Sequence, residues 1–243
     1  MAQINVKRNS GWAEIRLDRP DKRNALGEEI LTQLNDAIAS FVDDEDTRVI
    51  VLSATAPIFS AGAESKIKSD SSAEEKRTAF KGAKSQFRRL FERATSSFEQ
   101  LEQITVAKIN GHAIGAGWGL TLACDFRYAA RQAQFWIPEV DLGVLLGVGT
   151  TTRMVRLIGA ARTKEIVLGG RRYDATALKD IGLLTEVVDS GELDEEVHKY
   201  VEFLLAKPFL PLAQMKSRID HIARTAVPEA ASVIETILPR KDS

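Results

Sequence analysis

The sequence is poor in cysteine and histidine, and it has no excess of either charge. Its 243 residues include one cysteine, Cys124, and three histidines. A single cysteine cannot form an internal disulfide, and so few ligands cannot build a Cys/His zinc cluster. The 33 basic and 34 acidic residues leave a formal charge of −1, which argues against a general polyanion binder. These absences favour a protein of a reducing compartment, without a metal and without nucleic acid as a partner.

Long apolar runs are also absent. The longest extends from Ala113 to Cys124 and contains three glycines, so it is too short to cross a bilayer, which needs about 20 residues. The N-terminal residues MAQINVKRNSG lack the apolar core of a signal peptide. Hydrophobic residues make up 44% of the chain and charged residues 28%, which is typical of a globular protein. We therefore expect a cytoplasmic protein that does not associate with a membrane.

The apolar pattern predicts a chain in which strands dominate early and helices late. Apolar and polar residues alternate on both sides of the polar break at Asn9, which predicts a hairpin of two strands. The run Val49-Ile50-Val51-Leu52 predicts a strand buried on both faces. Spacings of three and four predict helices over 26–42, within 73–104, and over 115–123, 151–157, 163–168, 175–181, 193–205, 212–223 and 229–237. Short strands are predicted over 106–111, near Phe135 and at Val187-Val188. The fold class is α/β or mixed, and no linker divides the chain.

Two turns rich in small residues are the first candidate site. They are Phe59-Ser60-Ala61-Gly62-Ala63-Glu64 and the segment from Asn110 to Gly119. Small residues let a ligand approach backbone N–H groups, and two such groups that converge on one point would make an oxyanion hole. Either turn alone is better explained by tight packing of a strand against a helix, because glycine is common in turns.

Nucleotide chemistry is disfavoured by the glycine spacing. Gly115 and Gly117 would need a third glycine at position 120 to match a dinucleotide-binding turn, and that position is Leu120. The sequence also has no G-x-x-x-x-G-K-[ST] phosphate loop.

A glutamate among apolar residues is the second candidate. Glu139 lies between Pro138 and Val140 and follows Trp136 and Ile137. A buried carboxyl has a raised pKa and suits proton transfer, whereas most glutamates are surface charges.

Together and in this order, these segments resemble the enoyl-CoA hydratase/isomerase (crotonase) superfamily. The resemblance covers nearly the whole chain and rests on Arg19-Pro20, Asn24-Ala25-Leu26, residues 59–64, Asn110-Gly111, Gly115-Ala116-Gly117, Ala123-Cys124-Asp125, Pro138-Glu139, Leu142-Gly143, Ala177 and Gly182-Leu183-Leu184. It implies a spiral of ββα units over residues 1–188 and a C-terminal helical region over 189–243 that builds a homotrimer or a homohexamer. It also implies an acyl-CoA thioester as substrate, with no cofactor other than the coenzyme A of that substrate.

The resemblance also implies roles for individual residues. The backbone N–H groups of Ala63 and Ala116 would stabilise a thioester enolate, and Glu139 would be the acid/base. The CoA moiety and the substrate would lie along Arg23, Ala25, Ala61, Gly62, Glu64, Ser65 and Gly115. Trp118 and Trp136 flank this site, where each either narrows an acyl pocket or fills the core. Lys216 is a candidate contact for a CoA phosphate, against the alternative of a solvated surface lysine.

One departure from the family bears on the reaction. Hydratases of this family use two glutamates to handle water and a proton, and the position of the first is Gly119 here. A single carboxylate resembles the double-bond isomerases better, because one carboxylate can move a proton between two carbons. Asp141 and Glu64 are the residues that could replace the missing carboxylate. The middle position of the second turn is alanine instead of the usual glycine, so Ala116 could donate only if the site does not demand a positive φ.

The sequence is also compatible with two rival functions. The same enolate could serve carbon–carbon bond formation or cleavage, as in carboxymethylproline synthases and in hydratase-lyases. Alternatively, the chain could be a non-catalytic acyl-CoA-binding paralogue, for which Gly119 is the motivating residue.

Overall fold

The protein is described from a computed structural model, which covers residues 2–64 and 73–226. Nine strands, seven α-helices and one short 3₁₀ helix, Pro20–Lys22, lie in these ranges. The strands are β1 Ile4–Arg8, β2 Trp12–Leu17, β3 Val49–Ala54, β4 Ile104–Ile109, β5 Ala113–Ile114, β6 Phe126–Ala130, β7 Gln134–Trp136, β8 Tyr173–Asp174 and β9 Glu186–Val188. The helices are α1 Glu28–Ala39, α2 Ala73–Gln100, α3 Ala116–Thr121, α4 Val148–Gly169, α5 Ala175–Asp180, α6 Leu193–Leu205 and α7 Phe209–Ala226.

The strands form two sheets. The larger has the order β1-β2-β3-β4-β6-β9, in which β1 and β2 form the predicted hairpin and all other neighbours are parallel. The smaller has the order β5-β7-β8, with β5 and β7 parallel. This mixed α/β architecture confirms the predicted fold class.

The all-apolar strand β3 is covered on both faces, as its sequence predicts. Ile50 and Leu52 face the main core, which includes α1 and α3, while Val49 and Val51 face a second apolar cluster. That second cluster is closed by Val197 and Val201 of α6. Since side chains alternate along a strand, a continuous apolar run is what two covered faces require.

The helices begin and end close to their predicted bounds. Helix α6 has the predicted limits, and the region 73–104 holds one long helix. The two predicted helices after 151 both lie within α4 and are separated by a kink at Gly159, whose φ of 73° and ψ of 167° are not helical. The predicted helix over 229–237 lies outside the described residues.

The C-terminal region, predicted over 189–243, is described as far as residue 226. There α6 lies on the outer face of the large sheet and α7 follows it. No helix among the described residues is long and apolar enough to span a membrane.

Candidate active site

The site is built where the turn over residues 59–64 lies against the start of α3. Ser60 pairs with Ala113 as an isolated bridge, and Ile114 N donates to Ser60 O at 3.0 Å. A Cβ on Gly117 would lie 2.6 Å from the Ser60 Cβ. The glycine at 117 therefore lets α3 pack directly on the turn, so the two small-residue segments of the sequence form one structure.

Asn24 holds the neighbouring segment in place. Its side-chain amide donates to Thr55 O and Ile58 O at 2.9 Å each, and its backbone O accepts from Ser60 Oγ at 2.8 Å. Arg23 and Asn24 both have positive φ, 52° and 51°, a conformation that asparagine tolerates better than most residues. The bends place Arg23 O within 3.0 Å of Ala61 N. Two predicted CoA-binding segments are therefore adjacent in the structure.

The backbone N–H of Ala63 is directed away from its neighbouring strand. Leu26 N donates to Gly62 O at 2.8 Å, and Glu64 N donates to Leu26 O at 2.7 Å. In such a parallel bridge the central residue, Ala63, turns its own N–H to the opposite side. Within residues 2–64 and 73–226 this N–H donates no hydrogen bond.

The backbone N–H of Ala116 is the second free donor. Ala116 is the first residue of α3, so its N–H has no partner within the helix, and none is found elsewhere in the described chain. A Cβ on Gly62 would lie 3.7 Å from Ala116 N, which brings the residue before Ala63 next to this donor. Ala116 does not have a positive φ, so its side chain imposes no strain and its N–H is as available as that of a glycine.

Glu139 faces this start of α3. A Cβ on Gly115 would meet Glu139 Oε1 and would lie 3.1 Å from Glu139 Cδ. Gly115 also has a φ of 48° and donates from its N to Trp136 O at 3.0 Å. Glycine is required here because any side chain would be strained and would displace the carboxylate.

The carboxyl of Glu139 is in the environment that its sequence predicts. Burial raises its pKa to about 7, although a hydrogen bond from its own backbone N–H acts in the opposite direction. Glu139 Oε2 is buried and has no hydrogen-bond partner in the described part of the protein. A turn fixes the residue, since Val144 N donates to Glu139 O at 2.8 Å. A carboxyl with one free oxygen and a pKa near neutral pH can both accept and return a proton.

Three other predicted residues have defined positions. Trp136 is half-buried, with the Arg172 guanidinium 4.5 Å above its ring. Trp118 is 0% exposed and packs on Phe135 in the core, which favours core filling as its role. Glu64 is held by Arg19 through hydrogen bonds of 2.9 and 3.2 Å. Ser65 lies outside the described residues.

Neither candidate for the missing carboxylate lies next to position 119. The atoms nearest to a Cβ on Gly119 belong to Thr150 and Phe91. Asp141 is exposed and lies against Gly170, and Glu64 is paired with Arg19. No local sequence pattern indicates Thr150, because this residue is distant along the chain and meets Gly119 only through the packing of α4 on α3.

The interpretations of Lys216 were both wrong. Its side chain is 7% exposed, and its ammonium donates to Gln103 O at 2.8 Å and pairs with Asp125 at 2.9 Å. Asp125 also accepts from the N–H and hydroxyl of Thr105. Lys216 therefore joins α7 to the core and cannot reach a phosphate in solvent.

Among the described residues no group of three or more His, Cys, Asp or Glu side chains could hold a metal ion.

Comparison with known proteins places the chain in a family. It matches the family model for enoyl-CoA hydratase/isomerase over residues 7–238, and it belongs to that family. The crotonyl-CoA hydratase of Syntrophomonas wolfei is 30% identical over 95% of this chain and 86% of its own. The enoyl-CoA isomerase/hydratase fer4 of Mycosarcoma maydis is 35% identical over 88% of this chain and 77% of its own. Among similar curated proteins, names that include hydratase are the most frequent.

Solved structures show the same fold. A monofunctional enoyl-CoA isomerase from M. smegmatis superposes with a TM-score of 0.76 at 25% identity, covering 96% of both chains. A Thermobifida fusca protein named as an enoyl-CoA hydratase, solved in complex with CoA, has a TM-score of 0.75 at 25% identity and covers 93% of this chain and 92% of its own. The predicted superfamily and its crotonase fold are confirmed. The chain is therefore an enzyme of the enoyl-CoA hydratase/isomerase family.

Proposed function

We propose that this enzyme is an enoyl-CoA double-bond isomerase in which Glu139 alone moves the proton. The observation that carries the proposal is the carboxyl of Glu139, which is buried, unpaired at Oε2 within the described chain, and adjacent to Gly115, the residue before α3. The corresponding second carboxylate that hydration would need is absent at Gly119.

The reaction would proceed in two proton transfers. The ionised Glu139 takes a proton from the α-carbon of a β,γ-unsaturated acyl-CoA, and the electron pair moves to the thioester oxygen. The N–H groups of Ala63 and Ala116 donate to that oxygen and stabilise the dienolate. Glu139 then returns the proton to the γ-carbon, which leaves the double bond between the α- and β-carbons, without addition of water.

Two observations support an acyl-CoA thioester as the substrate: a structural relative solved with CoA, and two adjacent backbone segments. One structural relative is named as a CoA complex, and the predicted CoA segments, Arg23–Ala25 and Ala61–Glu64, are adjacent through the bond from Ala61 N to Arg23 O. We propose that CoA lies along this pair of segments, with Gly62 and Gly115 allowing close approach. Ser65 and a direct substrate contact of Trp136 remain predictions, and CoA enters only as part of the substrate.

Assembly and location are further parts of the proposal. We expect a homotrimer or homohexamer, and an apolar surface on α7 supports contact with another copy: Leu210, Met215, Ile219 and Ile222 are each at least 52% exposed. Light scattering should give the mass of three or six chains. A cytoplasmic location remains a prediction, since one relative from Mus musculus, 32% identical over 88% of this chain and 70% of its own, is named as mitochondrial.

The test uses purified protein and a β,γ-unsaturated acyl-CoA, with the absorbance of the conjugated thioester as readout. We expect wild-type enzyme to produce conjugation and Glu139→Gln to lose about 10²–10⁴-fold in rate, while it still binds a saturated acyl-CoA in calorimetry. Asp141→Asn is the matched control on the same turn, and it should retain activity because its carboxylate lies against Gly170.

Two results would contradict the proposal. Normal turnover by Glu139→Gln would remove Glu139 from the mechanism. Binding of the thioester by wild-type protein without any conjugation would favour carbon–carbon chemistry, tested with malonyl-CoA and an aldehyde, and then a non-catalytic acyl-CoA-binding role.

A further inference from the structure

Position 119 lies one helical turn along α3 from Gly115, the residue that faces the Glu139 carboxyl. Gly119 N donates to Gly115 O at 2.9 Å, which closes one helical turn between the two residues. Residues four apart lie on the same face of a helix, about 5–6 Å from each other. Gly115 precedes α3 and has a non-helical backbone, with a φ of 48° and a ψ of −116°, so the direction of a side chain at 119 has to be taken from the neighbours of position 119 itself.

The space at this position is already filled. A Cβ on Gly119 would meet Thr150 Oγ1 inside any normal contact distance, and it would lie 3.1 Å from Thr150 Cγ2 and 3.3 Å from Phe91 Cζ. Thr150 is 1% exposed and Phe91 is 5% exposed. They come from α4 and α2, so two helices close on Gly119 from outside α3. No alternative rotamer of a residue at 119 removes the conflict, because the Cβ itself is the clashing atom.

We infer that Thr150 and Phe91 determine which reaction this enzyme performs, by filling the space from which a second carboxylate would hold water. Hydration transfers a hydroxyl to the β-carbon and a proton to the α-carbon of an α,β-unsaturated thioester, so water must be held beside that β-carbon. Packed side chains exclude water from a space smaller than one water molecule. The dienolate is therefore protonated by Glu139, and the conjugated thioester that results has no water held beside its β-carbon for addition. This inference rests on the proposed isomerase function and names the residues that separate it from hydration.

The direct test restores the carboxylate in three backgrounds. Gly119→Glu is combined with wild-type Thr150, with Thr150→Ala, and with Thr150→Val, and each protein is assayed for hydration of an α,β-unsaturated acyl-CoA and for isomerisation. Thr150→Ala removes both Thr150 atoms nearest to position 119, whereas Thr150→Val replaces the hydroxyl by a methyl group and keeps a branched side chain of similar size. We expect at least about a 10-fold rise in hydration over wild type for Gly119→Glu/Thr150→Ala only.

A stability cycle tests the contact even if a glutamate variant fails to fold. Gly119→Ala adds only the clashing atom, so it should lower the melting temperature in the wild-type background and lower it much less in the Thr150→Ala background. An equal decrease in both backgrounds would overturn the inference. The inference would also be overturned if Gly119→Glu alone, or Gly119→Glu/Thr150→Val, hydrated the substrate as fast as Gly119→Glu/Thr150→Ala. A folded Gly119→Glu/Thr150→Ala protein without a gain in hydration would also overturn it.

The outcomes separate this inference from the proposed function. If wild-type protein does not isomerise but hydration by the Gly119→Glu series depends on the volume at 150, the proposed function fails and the steric inference stands. If wild-type protein isomerises and the hydration rates do not depend on the volume at 150, the function stands and the inference fails.

Discussion

The protonation of Glu139 sets the pH range in which the site can act. Glu139 must be ionised to take a proton from the substrate, and burial raises its pKa to about 7. We therefore predict that kcat/KM rises with pH up to about 7 and is level above it, because kcat/KM reports groups of the free enzyme. A rate profile between pH 5 and 9 checks this. A profile already level at pH 5 would mean that Glu139 titrates as an ordinary carboxyl.

The same carboxyl should lower stability at high pH. For an acid whose pKa is higher in the folded than in the unfolded state, the folded state binds more protons, so stability falls as pH rises between the two pKa values. The ordinary value is 4.5 and the folded value is about 7, which corresponds to a loss of up to about 3 kcal/mol above pH 7. We predict that Glu139→Gln raises the melting temperature at pH 8 and has little effect at pH 4.5. Equal effects at both pH values would contradict the assignment.

Gly115 should be as sensitive to change as Glu139 itself. It has positive φ, and a Cβ on it would meet the Glu139 carboxylate. We predict that Gly115→Ala loses at least about 10-fold in kcat and about 1–2 kcal/mol in stability, since the added methyl group strains the backbone and displaces the carboxylate. Gly182→Ala is the control, because Gly182 also has positive φ but nothing lies within 4 Å of its Cβ position. It should lose stability but retain its turnover number.

At the scale of elements, α7 is fixed to the core by one buried ion pair. Lys216 joins Asp125 and Gln103 O, and both side chains of the pair are largely buried. We predict that Lys216→Met costs about 3–5 kcal/mol, because it leaves the Asp125 carboxylate buried without its cation. Urea unfolding checks this value. The double variant Asp125→Asn/Lys216→Met should recover part of the loss, whereas an additive effect of the two changes would show that they do not interact.

Elements with a clear apolar period could be predicted from the sequence, and others could not. The apolar run of β3 and the spacing of α6 both led to the right element, because burial follows the side-chain pattern directly there. Strand β6 was missed, since it contains Arg127, whose buried guanidinium donates to Leu183 O and Cys124 O. Strands β5 and β8 have two residues each, which is too few for any period.

Some residues of the candidate site could likewise be predicted from the sequence, and others could not. Glu139 and the two turns were found from their residue types and order, which do not depend on the rest of the chain. Thr150 and the role of Lys216 depend on how α4 and α7 pack. That information is not local, so no pattern within a segment could supply it.

At the scale of the whole molecule, the large sheet has an apolar cluster on each face. Trp118 belongs to the inner cluster, while Trp12 packs against the outer one beneath α6. We predict that the core, residues 1–188, and the C-terminal region as far as α7 unfold together, because α6 covers one face of β3 and β4. Urea unfolding of Trp118→Phe/Trp136→Phe, followed by Trp12 fluorescence and by far-ultraviolet circular dichroism, should give one midpoint. Separate midpoints would show that residues after 188 fold independently.

The packing at Gly119 also restricts the order in which this chain could change. A residue with a Cβ at 119 clashes with Thr150. A variant in which position 119 is substituted before position 150 therefore loses stability and gains no hydration activity. Thr150 has to become smaller beforehand, and that change by itself leaves a cavity and no new activity. An evolutionary path from this protein towards a two-carboxylate relative therefore begins with a substitution that selection for the new reaction cannot favour.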